Sequence, residues 1–370
     1  MKKSCNTSKM AVNDLFKRRN PFCVLRLLPF FMLISFSQSY SKPVVIDSVL
    51  GPSKIKIVVP DKWNHRICIF AHGLRAEQMP LTADLSIENK SIKTLIDSGW
   101  IIATTSYRRN GWIVLDAAQD IDTLRDFLVR KFGKAEYVFL NGGSMGGEIV
   151  TLLSEKAGNE YSGALAIGAA LYLDSTNTFY THSYNPLIPL LFISNQNELA
   201  EPKMYISKNT GKIKPGLWEV KRDGHCNLTD DEELAAFEEL VTCAINRKPL
   251  SSKDGTIIPD KLLSTAKTIN GNAYGTIISI HPSYGNISTS IVESDFAKLK
   301  IVLGDDFLLK FKEKEFKVKL GKTYSDVPEK EWISFFTADG NLIVARNFAS
   351  PIDLLGCNRT DTLIFRAIKK

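Results

Sequence analysis

Tyr137-Val138-Phe139-Leu140-Asn141-Gly142-Gly143-Ser144-Met145-Gly146-Gly147-Glu148-Ile149-Val150-Thr151-Leu152-Leu153 is the stretch on which the fold turns. Tyr137 to Leu140 is a short apolar run of strand length, and Ile149, Leu152 and Leu153 recur at helical spacing, so a strand leads through a glycine-rich turn into a helix. A serine projecting from so tight a turn has a strained backbone, and the glycines on either side clear room for the strand and the helix. Gly142 and Gly146 hold those places, while Gly143 and Gly147 add clearance. Taken alone the pattern also describes an ordinary glycine-rich turn. Its setting between strand and helix makes Ser144 a candidate nucleophile.

Outward from this turn, short apolar strands alternate with amphipathic helices from about Ile55 to Arg247. The strands are Ile67 to Ala71, Trp100 to Thr105, Tyr137 to Leu140, Ala164 to Ile167, Leu190 to Ile193 and Leu217 to Val220. Such alternation predicts an α/β domain over residues 44–248, with a mostly parallel sheet covered by helices on both faces. Ala117, Ile121, Leu124 and Leu128 mark a crossover helix that Gly133 stops. Thr229-x-x-Glu232 is a capping box opening a helix with Leu234, Phe237, Leu240, Val241 and Ala244 on one face. Residues 249–262 read as a linker, rich in Lys, Pro, Ser and Gly. Residues 263–370 then form a smaller, mainly β domain, as Phe316, Val318 and Leu320 alternate with charged residues.

A serine hydroxyl needs a base to take its proton and an acid to orient the base. Of the five histidines, His65 and His72 precede the serine, His182 falls in a polar loop, and His281 belongs to the second domain. His225, in Arg222-Asp223-Gly224-His225-Cys226-Asn227, follows a strand and can swing over the sheet's carboxyl end. The chain order nucleophile, acid, histidine places the acid between them. Glu198 fits best, after the Leu190 to Ile193 strand, with Glu201 and Asp174 as substitutes. His72-Gly73-Leu74 ends the first strong strand, and the N–H of Gly73 or Leu74 with that of Met145 makes a candidate oxyanion hole. Arg108, Arg109 and Trp112 border the same face, either as contacts to an anionic or aromatic substrate or as a solvated loop with a packed Trp.

In this ordered set, residues 44–248 resemble the α/β-hydrolase superfamily. The resemblance implies acyl transfer through a serine ester, with Ser144 as nucleophile, His225 as base and Glu198 as orienting acid. Only about twenty residues separate the strands ending near Ile167 and beginning near Leu190, where many members insert a lid, so the site is expected to be open to a small-molecule or polymeric ester or peptide. A peptidase of the same fold is the subclass alternative. No cofactor is expected.

The second domain resembles the carboxyl-terminal domain of the S-adenosylmethionine hydroxide adenosyltransferase and fluorinase family. Tyr284-Gly285-Asn286 with Ser288-Thr289-Ser290 carries the likeness, together with Thr323-Tyr324-Ser325-Asp326-Val327-Pro328, Asp339-Gly340 and Ala345-Arg346-Asn347-Phe348-Ala349-Ser350. The resemblance implies an adenosyl ligand held by Asn286, Tyr324, Arg346 and Asn347, or else only a β scaffold with a habit of assembling subunits, a homotrimer by analogy. His281 stands where that family has an aspartate. Its catalytic amino-terminal domain has no counterpart here, so adenosyl transfer is not expected. An adenosine- or S-adenosylmethionine-binding protein with a scaffold hydrolase domain is the second functional reading.

The composition of the 370 residues, 44% apolar and 24% charged, is that of a globular protein. A net charge of +7 is spread along the chain among acids rather than clustered with aromatics, which argues against nucleic-acid binding. Residues 1–41 carry Lys2, Lys3, Lys9, Lys17, Arg18 and Arg19, then an apolar run from Leu27 to Phe36, then Ser37, Ser39 and Ser41. This is the layout of a signal peptide, and the run is about half the ~20 residues of a membrane span. A periplasmic or secreted location follows, with a signal anchor as the alternative. In an oxidising compartment Cys226 and Cys243 are close enough in sequence for a disulfide. No cysteine or histidine cluster suggests a metal.

Overall fold

The computed structural model describes residues 42–156, 160–171, 181–255 and 263–368. The expected signal segment, the substitute acid Asp174 and the second half of the expected linker lie outside them.

The first sheet begins with a hairpin, β1 (Val44–Leu50) and β2 (Ser53–Val59). It continues through β3 (Arg66–Ala71), α1 (Lys90–Asp97), β4 (Ile101–Thr105), α2 (Val114–Phe132), β5 (Tyr137–Gly143), α3 (Met145–Lys156) and β6 (Gly163–Ile167). β7 (Leu190–Asn195), α4 (Ala200–Lys208), β8 (Gly216–Val220), α5 (Asp230–Asn246) and β9 (Lys253–Asp254) complete it. The strand order is β1-β2-β4-β3-β5-β6-β7-β8-β9, with β1 and β2 antiparallel and β3 to β9 parallel.

The strands read as unbroken apolar runs because both faces are covered. Ile67, Ile69, Ile101, Ala103 and Leu140 face α2 and α3, packing with Ile121, Leu124, Ile149 and Leu152. Cys68, Ile102, Phe139, Leu165 and Leu191 face α1 and α5, packing with Leu95, Phe237 and Leu240. α2 stops at Phe132 because Gly133 takes φ +97. The Thr229–Glu232 capping box opens α5 with both of its hydrogen bonds formed. Lys253 and Asp254 pair with β8 as a ninth strand, with Lys253 Nζ 3.6 Å above the Trp218 ring, so the beginning of the expected linker belongs to the sheet.

The second sheet comprises β10 (Lys267–Ile269), β11 (Asn272–Ile280), β12 (Ile287–Val292), β13 (Asp306–Phe311), β14 (Lys314–Leu320), β15 (Trp332–Phe336), β16 (Asn341–Arg346) and β17 (Thr362–Ala367). Short helices α6 (Glu293–Lys298) and α7 (Pro351–Leu355) lie between its strands. β11 pairs with β17 as well as with β12, which closes the sheet into a barrel around Phe296, Phe307, Leu309, Val344 and Phe365.

Candidate active site

Ser144 occupies the junction of β5 and α3 with φ 58, in the left-handed region where a side chain is strained. The turn closes only because its glycines carry no Cβ. A Cβ on Gly146 would lie 2.0 Å from the Ala71 carbonyl oxygen, and one on Gly142 would lie 2.2 Å from that of Gly146. The Ser144 N–H is tied to the Ile167 carbonyl at 2.9 Å, which fixes the hydroxyl at the carboxyl edge of the sheet.

Three elements converge on that hydroxyl. His225, in the loop after β8, places Nε2 2.8 Å from Ser144 Oγ, where the hydroxyl donates. Its Nδ1–H donates to Glu198 Oε1, and the other Glu198 oxygen accepts from the Cys226 N–H at 3.4 Å. Glu198 ends a single 3-10 turn, Gln196–Glu198, after β7. Glu201 lies one turn further on, in α4, and accepts instead from the Leu171 N–H, so it does not approach the histidine.

The acid and histidine loops are bound together by asparagines that sequence reasoning had passed over. Asn195 accepts from the Asn227 N–H at 2.8 Å and donates to the Asn227 carbonyl at 3.0 Å, while Asn197 accepts from the Gly224 N–H at 2.9 Å. Three Asn side chains flanking two loops of one site were the available signal.

Gly73 lies against the nucleophile: a Cβ there would come within 3.2 Å of Ser144 Cβ. Met145 opens α3, so its N–H has no acceptor inside the helix. Gly73 flanks the same serine, so the candidate oxyanion donors, the Met145 N–H and that of Gly73 or Leu74, belong to the two segments that meet at Ser144. His72 holds the turn rather than reacting. Its ring stacks on Tyr107 at 4.0 Å and its Nδ1–H donates to the Gly73 carbonyl at 2.7 Å. Burial, with the nearby Arg75 charge, lowers its pKa to about 3 and keeps it neutral.

Of the two readings of the loop after β4, the structure shows contacts of the second kind: Arg108 pairs with Asp120 at 2.8 Å, Arg109 with Asp116 at 2.7 Å, and Trp112 packs against the core. His182 lies in a loop, as expected, and its ring packs between Glu148 and Glu155 of α3, at 2.9 and 3.3 Å. Cys226 and Cys243 are free thiols: Cys226 contacts the Ile167 carbonyl and Cys243 that of Pro249.

The expected open face is bordered by the second domain. Buried Arg75, two residues past Gly73, pairs with Asp84 at 2.9 Å, and Ser283 donates to the same carboxylate. The Tyr284 ring lies over Arg75 at 5.9 Å. Across the site Lys322 pairs with Asp223, and Asn227 donates to the Phe336 carbonyl at 3.4 Å.

Within the barrel, Asn286 donates to the Tyr324 hydroxyl at 2.8 Å, but the other two residues matched to a ligand are engaged elsewhere. Arg346 donates to the Lys330 carbonyl and Asn347, buried, to that of Val327. His281 accepts from the Ser283 N–H at 3.2 Å and so caps its own turn.

The strand order, with the nucleophile after β5, the acid after β7 and the histidine after β8, defines the first domain as an α/β-hydrolase fold. Residues 275–364 match the family model of the SAM hydroxide adenosyltransferase C-terminal domain. Among curated proteins none matches the chain. Among solved structures, an uncharacterized conserved protein from Thermotoga maritima is 22% identical over 36% of this chain, with a TM-score of 0.27, and the match spans about half (49%) of that protein. Est1E from Butyrivibrio proteoclasticus is 14% identical, over 56% of this chain and 100% of its own, with a TM-score of 0.39. The acylaminoacyl peptidase of Pyrococcus horikoshii is also 14% identical, over 59% of this chain and 43% of its own, with a TM-score of 0.42.

Proposed function

We propose that the protein is an exported serine hydrolase that cleaves esters through an acyl-enzyme, with Ser144 as nucleophile, His225 as base and Glu198 as orienting acid. One observation carries this reading: the continuous hydrogen-bonded chain from Ser144 Oγ through both nitrogens of His225 to Glu198. The export part draws on the basic-then-apolar leader at residues 1–41.

His225 Nε2 takes the hydroxyl proton as Oγ attacks the substrate carbonyl, and Glu198 stabilises the imidazolium through Nδ1–H. The carbonyl oxygen becomes an oxyanion between the Met145 N–H and that of Gly73 or Leu74. Collapse of this intermediate expels the alcohol, protonated by His225. Water, deprotonated by the same nitrogen, then releases the acid and regenerates the serine.

A panel of p-nitrophenyl esters and peptidyl anilides, run on the wild type and on Ser144→Ala, tests the proposal. Ester turnover that the variant loses by about 1,000-fold or more is the expected result. Turnover of anilides in place of esters moves the assignment to a peptidase, and equal rates in the variant reject the serine.

A further inference from the structure

Beside the nucleophile lies a cavity of about 290 Å³ lined by Phe70, His72, Gly73, Asn141, Gly143, Cys226 and Glu233, among others. Gly73 and Gly143, which flank Ser144, form one wall. A carboxyl group stands in another. Asn141 donates to Glu233 Oε1 at 2.7 Å, and among the described residues no Lys, Arg or His pairs with this carboxyl. It lies deep among protein atoms, yet part of the side chain still faces open space. Burial raises its pKa, against the Asn141 hydrogen bond, and Asp230 adds to the rise.

The surroundings supply no counter-charge. Cys226, which shares the cavity lining, and the buried Cys68 have thiol pKa values pushed up by burial, with the Glu233 charge adding to the rise in both. The two acids that precede Glu233 in the chain hold cations of their own, Asp231 with Lys90 and Glu232 with Arg222. Asp339 of the barrel, close to Asp230, adds another acid. A buried carboxyl satisfied by one amide is costly where an apolar side chain could pack, unless something cationic arrives to share the cavity.

We propose that this cavity is a subsite for a compact cationic group, a primary or quaternary ammonium, carried a few bonds from the scissile carbonyl of the substrate. The inference rests on the reading of Ser144 as the nucleophile and deepens it to a substrate class. The volume is below the roughly 300–1,000 Å³ of sites for drug-sized ligands, which fits a short chain ending in one such group. The cation pairs with Glu233 as carboxylate while the carbonyl oxygen sits between Gly73 and Met145.

Two matched pairs of esters test this. One pair differs on the acyl side, p-nitrophenyl 4-(trimethylammonio)butanoate against p-nitrophenyl 5,5-dimethylhexanoate. The other differs on the alcohol side, acetylcholine against 3,3-dimethylbutyl acetate. In at least one pair the wild type is expected to favour the cation by about tenfold or more in kcat/KM, which corresponds to about 1.4 kcal/mol. Glu233→Gln is expected to bring that ratio close to one. No preference in either pair, or an equal preference in Glu233→Gln, overturns the subsite. Should the variant not accumulate, tetramethylammonium chloride decides: it is expected to inhibit neutral-ester hydrolysis competitively relative to sodium chloride, and equal rates in the two salts overturn the proposal. Fluorophosphonate labelling is read in parallel. Labelled Ser144 without cation preference rejects only the subsite, whereas absent labelling and turnover reject the hydrolase reading itself.

Discussion

Ser144 is held at φ 58, a conformation that costs a residue bearing a Cβ about 1–2 kcal/mol. The Gly142 and Gly146 contacts and the Ile167 hydrogen bond over-determine the turn and hold the strain in place. Gly73 belongs to the same economy of space. Its φ is not in the left-handed region, so Gly73→Ala leaves the backbone unstrained, but the added methyl presses on Ser144 Cβ at 3.2 Å. Ester turnover in Gly73→Ala is expected to fall by about 100-fold, with a urea midpoint near that of the wild type. Comparing the two measurements checks this, and a loss of stability matching the loss of rate would contradict it. At this scale the serine and histidine were legible, one from its strand and helix neighbours and the other by elimination. The choice between Glu198 and Glu201 was not, because both lie in one short stretch. Only the 3-10 turn, and the start of α4 after it, aim one carboxylate at His225 and the other at Leu171.

Among the elements, α3 is the one the site depends on, since it is buried on all sides and carries Ser144 at its start. Glu148 and Glu155 are seven residues apart on this helix, and His182 bridges them. Tyr205 donates to Glu155 at 2.6 Å, and the N–H groups of Ser183 and Tyr184 do so at 2.9 Å. Burial alone pulls the His182 pKa down, but the hydrogen bonds and charges of Glu148 and Glu155 carry it to about 9. A pKa raised on folding adds stability that is whole below the unfolded value near 6.5 and disappears as pH climbs through about 9. The urea midpoint is therefore expected to fall between pH 7 and pH 10. His182→Gln is expected to lack that step and to lose about 3–5 kcal/mol at pH 7, because two buried carboxylates lose their cation. A midpoint profile identical in the variant would contradict the assignment. Two acids within an apolar helix were a sequence signal that a buried partner existed, but nothing local named His182. The central strands were legible because burial on both faces makes them plain apolar runs. β1, exposed along most of its length, shows no such run, and only its pairing with β2 makes it a strand.

In the whole molecule, the hydrolase sheet and the barrel meet at the rim of the site, through Ser283 and Tyr284 on the Gly73 side and Lys322 on the His225 side. Sequence pattern separated two textures of chain but could not show that they share a face, since contacts about 100 to 200 residues apart leave no periodicity. If Lys322 steadies the histidine loop, Lys322→Asp sets like charges against each other. Labelling of Ser144 by a fluorophosphonate should then slow by about three- to tenfold, and the exchange Asp223→Lys with Lys322→Asp should recover most of the rate. Unchanged labelling in the single variant would mean that the barrel does not act on the catalytic loop. The proposed chemistry depends on Ser144, and the most direct test is peptide mass spectrometry of the protein after reaction with a fluorophosphonate. The predicted result is a single adduct on Ser144, lost in Ser144→Ala and strongly reduced in His225→Ala. An adduct on another residue, or undiminished modification of the Ser144→Ala protein, would contradict it.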